Sequence, residues 1–271
     1  MPLELRPLRP ADLPAYNRIK LHAFSIPNEG LMPMFHPNGY TPADATHDMR
    51  STLSKISDPT TADDSRKPYP RFMIVVDTDL APLEGDVSIP LLKEKYPNIP
   101  PEVIQDIEVS EGEQSKKTAS GGRPIGISAW EFYPKPRTPE DLAAEDAQNA
   151  AEPLAPTTDS KFMAAFFGTI SRVRRDNLGG NPHAHLQVLA VDPDHHRRGV
   201  GAMCLDWGFV EADRLGIPVY LESSRLGRPL YLHKGFQELH KLDFDARAAS
   251  GGKGFDAPHS IMFRPVTTKQ A

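Results

Sequence analysis

The chain has 271 residues, of which 39% are hydrophobic and 25% charged, enough to bury a substantial core in one large domain or two small ones. A formal net charge of −5 gives no global attraction to nucleic acid or to an anionic membrane surface, while a small cationic substrate is tolerated. The single cysteine, Cys204, excludes an intramolecular disulfide framework and a thiolate metal cluster.

Met1-Pro2-Leu3-Glu4-Leu5-Arg6 lacks the apolar run of a signal peptide, and no stretch approaches the roughly 20 apolar residues of a membrane span, so a soluble cytoplasmic protein is expected. Proline is abundant, at 28 residues, and many fall in two segments that read as surface insertions, 78–121 and 134–158.

Leu3–Pro7 is a short strand candidate, and Asp12 precedes a helical pattern through Leu13, Tyr16, Ile19 and Ala23. A loop rich in Pro, Gly and Met runs from Ile26 to Tyr40. Thr41-Pro42-Ala43-Asp44 supplies a cap, a first-turn proline and an acid, and opens a second helix to about Ile56. Arg71–Asp77 is a buried-type strand, and after the first insertion Pro124–Tyr133 resumes as a strand that pairs with it. The composition of 134–158 reads as a mobile surface loop in preference to a lid. Lys161–Arg175 looks helical, with Phe162, Ala165, Phe166 and Ile170 on one side.

From there the punctuation sharpens. His185–Val191 is a strand, Asp192-Pro193-Asp194 a turn, and Gly199–Leu215 an amphipathic helix with Val200, Met203, Cys204, Trp207 and Val210 on its apolar face, stopped by Gly216 and Pro218. Val219–Glu222, Phe236–Phe244 and Ser260–Arg264 are strands, and Pro229–Lys234 is a short helix. Alternating strands and helices argue for a sheet flanked by helices.

His196-Arg197-Arg198-Gly199-Val200-Gly201-Ala202 joins strand to helix. Its glycines let the backbone turn tightly and approach a ligand, and the first-turn amides, the helix dipole and two arginines make a pyrophosphate site. A dinucleotide fingerprint would need a third glycine where Cys204 stands, and a P-loop would need Gly-Lys-Ser/Thr. The segment from Leu189 to Ala202 resembles the strand and pyrophosphate loop of the GNAT superfamily of acetyl-CoA-dependent N-acetyltransferases, whose loop reads Gln/Arg-x-x-Gly-x-Gly/Ala. His196 departs from it where Gln or Arg is usual. Tyr231-Leu232-His233-Lys234-Gly235-Phe236 matches that family's Tyr-x-x-x-Gly-Phe signature downstream.

The resemblance implies an α/β (α+β) fold with a mixed, mostly antiparallel central sheet, spanning 1–271 as a single domain with the two insertions. It implies that backbone groups of Leu189, Ala190 and Val191 pair with the pantetheine arm of acetyl-CoA. His196 and the amides of Arg198, Gly199, Val200, Gly201 and Ala202, beside Arg197, would hold the pyrophosphate. Ser224 would stand in for a common Asn, and Tyr231 would protonate the leaving thiolate. The implied reaction is direct transfer of an acetyl group to a primary amine of a small molecule or peptide, with acetyl-CoA as co-substrate and no metal.

For the base that deprotonates the amine the candidates are His185, Glu222 and Glu131. Phe24, Met32, Met34, Phe35, Tyr40, Trp130 and Phe132 either line an acceptor pocket or pack the core. Cys204, on the apolar helix face, is expected to be a small core residue and not a nucleophile. A second reading, an acetyl-CoA-binding regulatory or interaction module without catalysis, stays open on sequence alone, as does a monomer against a homodimer.

Overall fold

The computed structural model describes residues 2–27, 29–56, 69–86, 122–252 and 258–266. Its strands are β1 (Leu3–Pro7), β2 (Tyr69–Asp77), β3 (Arg123–Tyr133), β4 (His183–Val191), β5 (Val219–Ser224), β6 (Gln237–Lys241) and β7 (His259–Arg264). They form one sheet in the order β1-β2-β3-β4-β5-β7-β6. Every neighbouring pair is antiparallel except β4 and β5, which run parallel. This is the mixed, mostly antiparallel sheet expected.

The helices are α1 (Leu13–Phe24), α2 (Met32–Phe35), α3 (Pro42–Lys55), α4 (Pro139–Ala151), α5 (Ser160–Leu178), α6 (Val200–Leu215), α7 (Arg228–His233) and α8 (Ala246–Ala249). Local chemistry starts the longer ones. Thr41 and Asp44 form a capping box with Pro42 in the first turn of α3, Thr138 and Asp141 repeat it at α4, and the Asp159 carboxylate accepts from the amides of Lys161 and Phe162 at α5.

Alternation along the strands divides the core between the two faces of the sheet. On one face α6 covers Leu186, Val219 and Leu221 together with Trp130 and Phe132. On the other, α1 and α3 cover Ile74, Val76, Ile127 and Ala190, and α5 and α8 cover Tyr220 and Ile261.

Two expectations are corrected and one open alternative is decided. Residues 139–151 are the helix α4, not a loop; its Glu145 accepts from Arg137 and from Tyr133 (3.2 Å), and its Asp146 from Arg175 (2.7 Å). The buried stripe of α6 is Val200, Cys204, Leu205, Gly208, Phe209 and Ala212, while Val210 is 71% exposed, because bare Gly208 lets the Trp130 indole lie against the helix. Trp130 and Phe132 are therefore core under α6 and line no acceptor pocket. Of the first insertion, residues 87–121 lie outside the described residues.

Candidate functional site

The single parallel seam shapes the site. β4 and β5 pair only at Ala184–Val219 and His185–Tyr220. The β3–β4 register shifts between Ala129 and Trp130, where Gln187 is the extra residue on β4. From Leu186 to Val191, β4 keeps its β3 partner, but its β5-facing edge has no partner strand among the described residues. Such an edge offers N–H and C=O groups to an extended ligand.

The loop after β4 is braced from two sides. Asp192, 4% exposed, accepts from Arg18 of α1 (2.7 Å), lies 3.2 Å from the His22 ring and accepts from the Asp194 amide (3.3 Å). Burial would raise its pKa, but Arg18 outweighs that and holds it below the usual carboxylate range. On the other side Arg198 donates to buried Asp77 of β2 and to His195 Nδ1 (2.7 Å). Arg198 is thus a brace whose charge Asp77 balances. Arg197 is exposed, and its φ of +63° lies in the left-handed region.

Gly199, with φ of +85°, precedes α6 without a side-chain cap, and its carbonyl accepts from the Met203 amide (3.0 Å). The amides of Val200, Gly201 and Ala202 precede any intrahelical acceptor and carry the positive end of the helix dipole. A Cβ on Gly201 would lie 3.0 Å from Leu230 and 3.8 Å from Val191, so a larger residue would intrude between α6, α7 and β4. His196 departs from its expected role: its Nε2 donates to the Val191 carbonyl (3.2 Å) and helps close the loop.

At the β5 end, the Ser224 hydroxyl accepts from the Gly227 amide (3.2 Å) and shapes the turn into α7. A Cβ on Gly227 would lie 2.9 Å from the Tyr231 ring and 3.5 Å from Ser224 Oγ, which places Tyr231 beside the end of β5. Tyr231 is buried in the α6-face core, and burial raises its phenol above the ordinary value. Cys204 is fully buried and its thiol is pushed up to about 12 by burial, which leaves it protonated and unreactive at neutral pH.

On the opposite face, His185 and Glu222 come together: His185 Nε2 lies 2.9 Å from Glu222 Oε2. Behind them, Arg174 of α5 places Nη1 against the His185 ring, 3.0 Å from Nδ1 and 3.5 Å from Nε2. Burial alone would raise the Glu222 carboxyl; His185 and Arg174 outweigh it and hold it below the ordinary value. Among the described residues Glu222 Oε1 and the Tyr220 hydroxyl, on the same face of β5, are buried with no geometric hydrogen-bond partner, and burial and the Glu222 carboxylate raise the Tyr220 phenol. Glu131 stands directly across from His185 in the β3–β4 register, and its carboxylate accepts from Gln187 Nε2 (2.6 Å). Sequence reasoning missed Arg174. Its signal was present, because Phe162, Phe166, Ile170 and Arg174 follow at i+4 spacing, which puts a cation at the end of an apolar stripe.

Residues 125–236 match the Acetyltransferase (GNAT) family model, a span running from β3 through the Tyr231–Phe236 signature. That stretch of the chain is similar to a GNAT-family acetyltransferase domain. The fold is similar to the crystal structure of mosquito arylalkylamine N-acetyltransferase like 5b, with a TM-score of 0.55 and 17% identity over 97% of this chain and 99% of that one. A further similar structure is that of histone acetyltransferase HPA2 and related acetyltransferase from Corynebacterium glutamicum, at 15% identity and a TM-score of 0.49 with full coverage of both chains. A search of curated proteins finds no match.

Proposed function

We propose that this protein transfers the acetyl group of acetyl-CoA to a primary amine of a small molecule or peptide by direct attack. The observation that carries the reading is the unpaired β5-facing edge of Leu186–Val191 leading into an uncapped helix N-terminus. That pairing of features suits a ligand with an amide-bearing arm at one end and a diphosphate at the other. Backbone groups of Leu189, Ala190 and Val191 take the pantetheine arm. The amides from Arg198 to Ala202 take the diphosphate, with Arg197 adding formal charge. Ser224 keeps its hydroxyl proton available to the arm.

An alkylammonium with a pKa near ~10 must lose a proton before it attacks. The His185–Glu222 pair receives that proton and passes it to solvent. The amine nitrogen then bonds to the thioester carbonyl carbon, and a backbone N–H near Val191 stabilises the oxyanion. The carbon–sulfur bond breaks, the thiolate takes a proton from the Tyr231 hydroxyl, and the proton released by the new amide nitrogen restores the phenol. The products are the acetamide and coenzyme A.

A thiol-release assay over a panel of aryl, alkyl and peptide amines tests the reading. Turnover with at least one class is expected. Tight binding of acetyl-CoA with no turnover on any amine would favour a non-catalytic module instead.

A further inference from the structure

Two buried oxygens on one face of β5 are left over by the network around His185. Tyr220 is 0% exposed and the Glu222 side chain 8%, yet among the described residues neither the Tyr220 hydroxyl nor Glu222 Oε1 has a geometric hydrogen-bond partner. Buried polar atoms left so cost free energy and call for a partner. Strand alternation puts the two side chains on the same face, and the carboxylate lies close enough to raise the phenol. Two donors on this face are turned elsewhere. His185 Nε2 lies 2.9 Å from Oε2, the other oxygen, and Arg174 Nη1 lies against the His185 ring. Both residues hold Glu222 ionised, so Oε1 is an acceptor waiting for a donor. Around the Tyr220 ring the packing is apolar, with Leu31, Met34, Phe162, Phe166 and Ile261 in the same cluster.

The parallel pairing of β4 with β5 ends at His185–Tyr220, so Glu222, two residues on, stands where β4 has left its partner and the opening begins. A group that completes this place must donate to a carboxylate oxygen and to a hydroxyl oxygen from a single atom. A protonated primary amine does so, because its nitrogen carries three N–H groups and can serve both oxygens at once. A protonated tertiary amine carries one N–H and can serve only one of them. We propose that Tyr220 is a specificity-determining residue that, with Glu222 Oε1, seats the ammonium of the acceptor and selects primary amines over N,N-dimethyl ones. What becomes of the seated amine rests on the acetylation reading above; the seat itself is a matter of binding alone.

The experiment is calorimetry on the full chain with coenzyme A present, titrated with primary aryl, alkyl and peptide amines and with their N,N-dimethyl counterparts. Wild type, Tyr220→Phe and Glu222→Gln are compared, with a thermal melt of each. The wild type is expected to bind at least one primary amine about tenfold tighter than its dimethyl counterpart, the size of one hydrogen bond to a charged group. Tyr220→Phe should weaken the primary amine about tenfold and leave the dimethyl amine within about twofold, so the preference collapses. The Kd for coenzyme A should stay unchanged and the melting temperature should be no lower, because the hydroxyl has no partner to lose until the amine arrives. A lower melting temperature with the preference intact would mean that the hydroxyl bonds within the protein, and overturns the proposal. Equal weakening of both amines, or no weakening of either, overturns it as well. If Tyr220→Phe fails to fold, Glu222→Gln carries the same comparison with the same collapse expected. Failure of every amine to bind overturns the seat. Binding with the predicted preference but no turnover in the thiol-release assay defeats the acetylation reading and leaves the seat standing.

Discussion

At the scale of single residues, Arg197 shows how the loop spends stability on shape. Its left-handed backbone costs a residue with a Cβ roughly 1 kcal/mol, and nothing in the described structure pairs with its side chain. Such strain is retained where geometry matters to a ligand. Arg197→Gly should therefore raise the unfolding free energy by up to about 1 kcal/mol while weakening acetyl-CoA binding about tenfold, the size expected for one charge-assisted phosphate contact. Thermal melts and calorimetry read the two effects separately; a less stable variant with unchanged affinity would show that the loop shape has another origin. Its neighbour Arg198 behaves differently although the sequence treats the two alike. Asp77, distant in sequence, claims Arg198, and no local pattern announces that. His185 and Glu222 were legible as candidates by residue type and strand position, whereas their contact and the Arg174 behind them arise from the packing of α5 on the sheet.

At the scale of elements, most of the strands and helices follow from local signals. β1, α3 and α6 fall where alternation, the Thr41-Pro42 start and the glycine stops put them. α4 did not, because its proline- and acid-rich composition outweighed the Thr138-Pro139 cap that opens it. The buried stripe of α6 was misplaced because Gly208 counts as neither apolar nor polar, yet it is the contact point for the largest core side chain. A Cβ there would sit 2.2 Å from Trp130 Cζ2. Gly208→Ala is expected to force the indole or the helix to shift and to cost about 1–3 kcal/mol in a denaturant titration. Loss of less than a few tenths would mean that α6 does not rest on Trp130.

At the scale of the whole molecule, the sheet carries two different polar systems, and both bear on acid stability. His183 is fully buried, its Nδ1 donating to the Asn181 carbonyl (2.8 Å) and its ring stacked 4.7 Å from Tyr133. Burial lowers its pKa to about 3. Below the ordinary value the unfolded chain binds a proton that the folded chain refuses, so stability falls as pH drops from about 6.5 toward 3. Asp44, Asp77, Asp192 and Glu222 are also held low, but their contribution is complete above about pH 4 and is lost only below it. The interval between pH 6.5 and 5 therefore reports on His183 together with His36, which burial also holds below the ordinary value. His183→Phe, which keeps the stacking, should reduce the stability difference between pH 8 and pH 5 by about 2 kcal/mol. An unchanged difference would place the titration elsewhere.

The family signature, the sheet and the loop were readable from a short run of sequence because they are local. The opening between β4 and β5 was not, since it depends on where a parallel pairing stops. That opening, with the free amides at the start of α6, is the claim on which the function rests. A crystal structure of the chain with coenzyme A tests it most directly. The diphosphate is expected within hydrogen-bonding distance of the amides from Arg198 to Ala202, with the pantetheine arm running along Leu189–Val191. Coenzyme A bound anywhere else, or absent at saturating concentration with α6 intact, would contradict it.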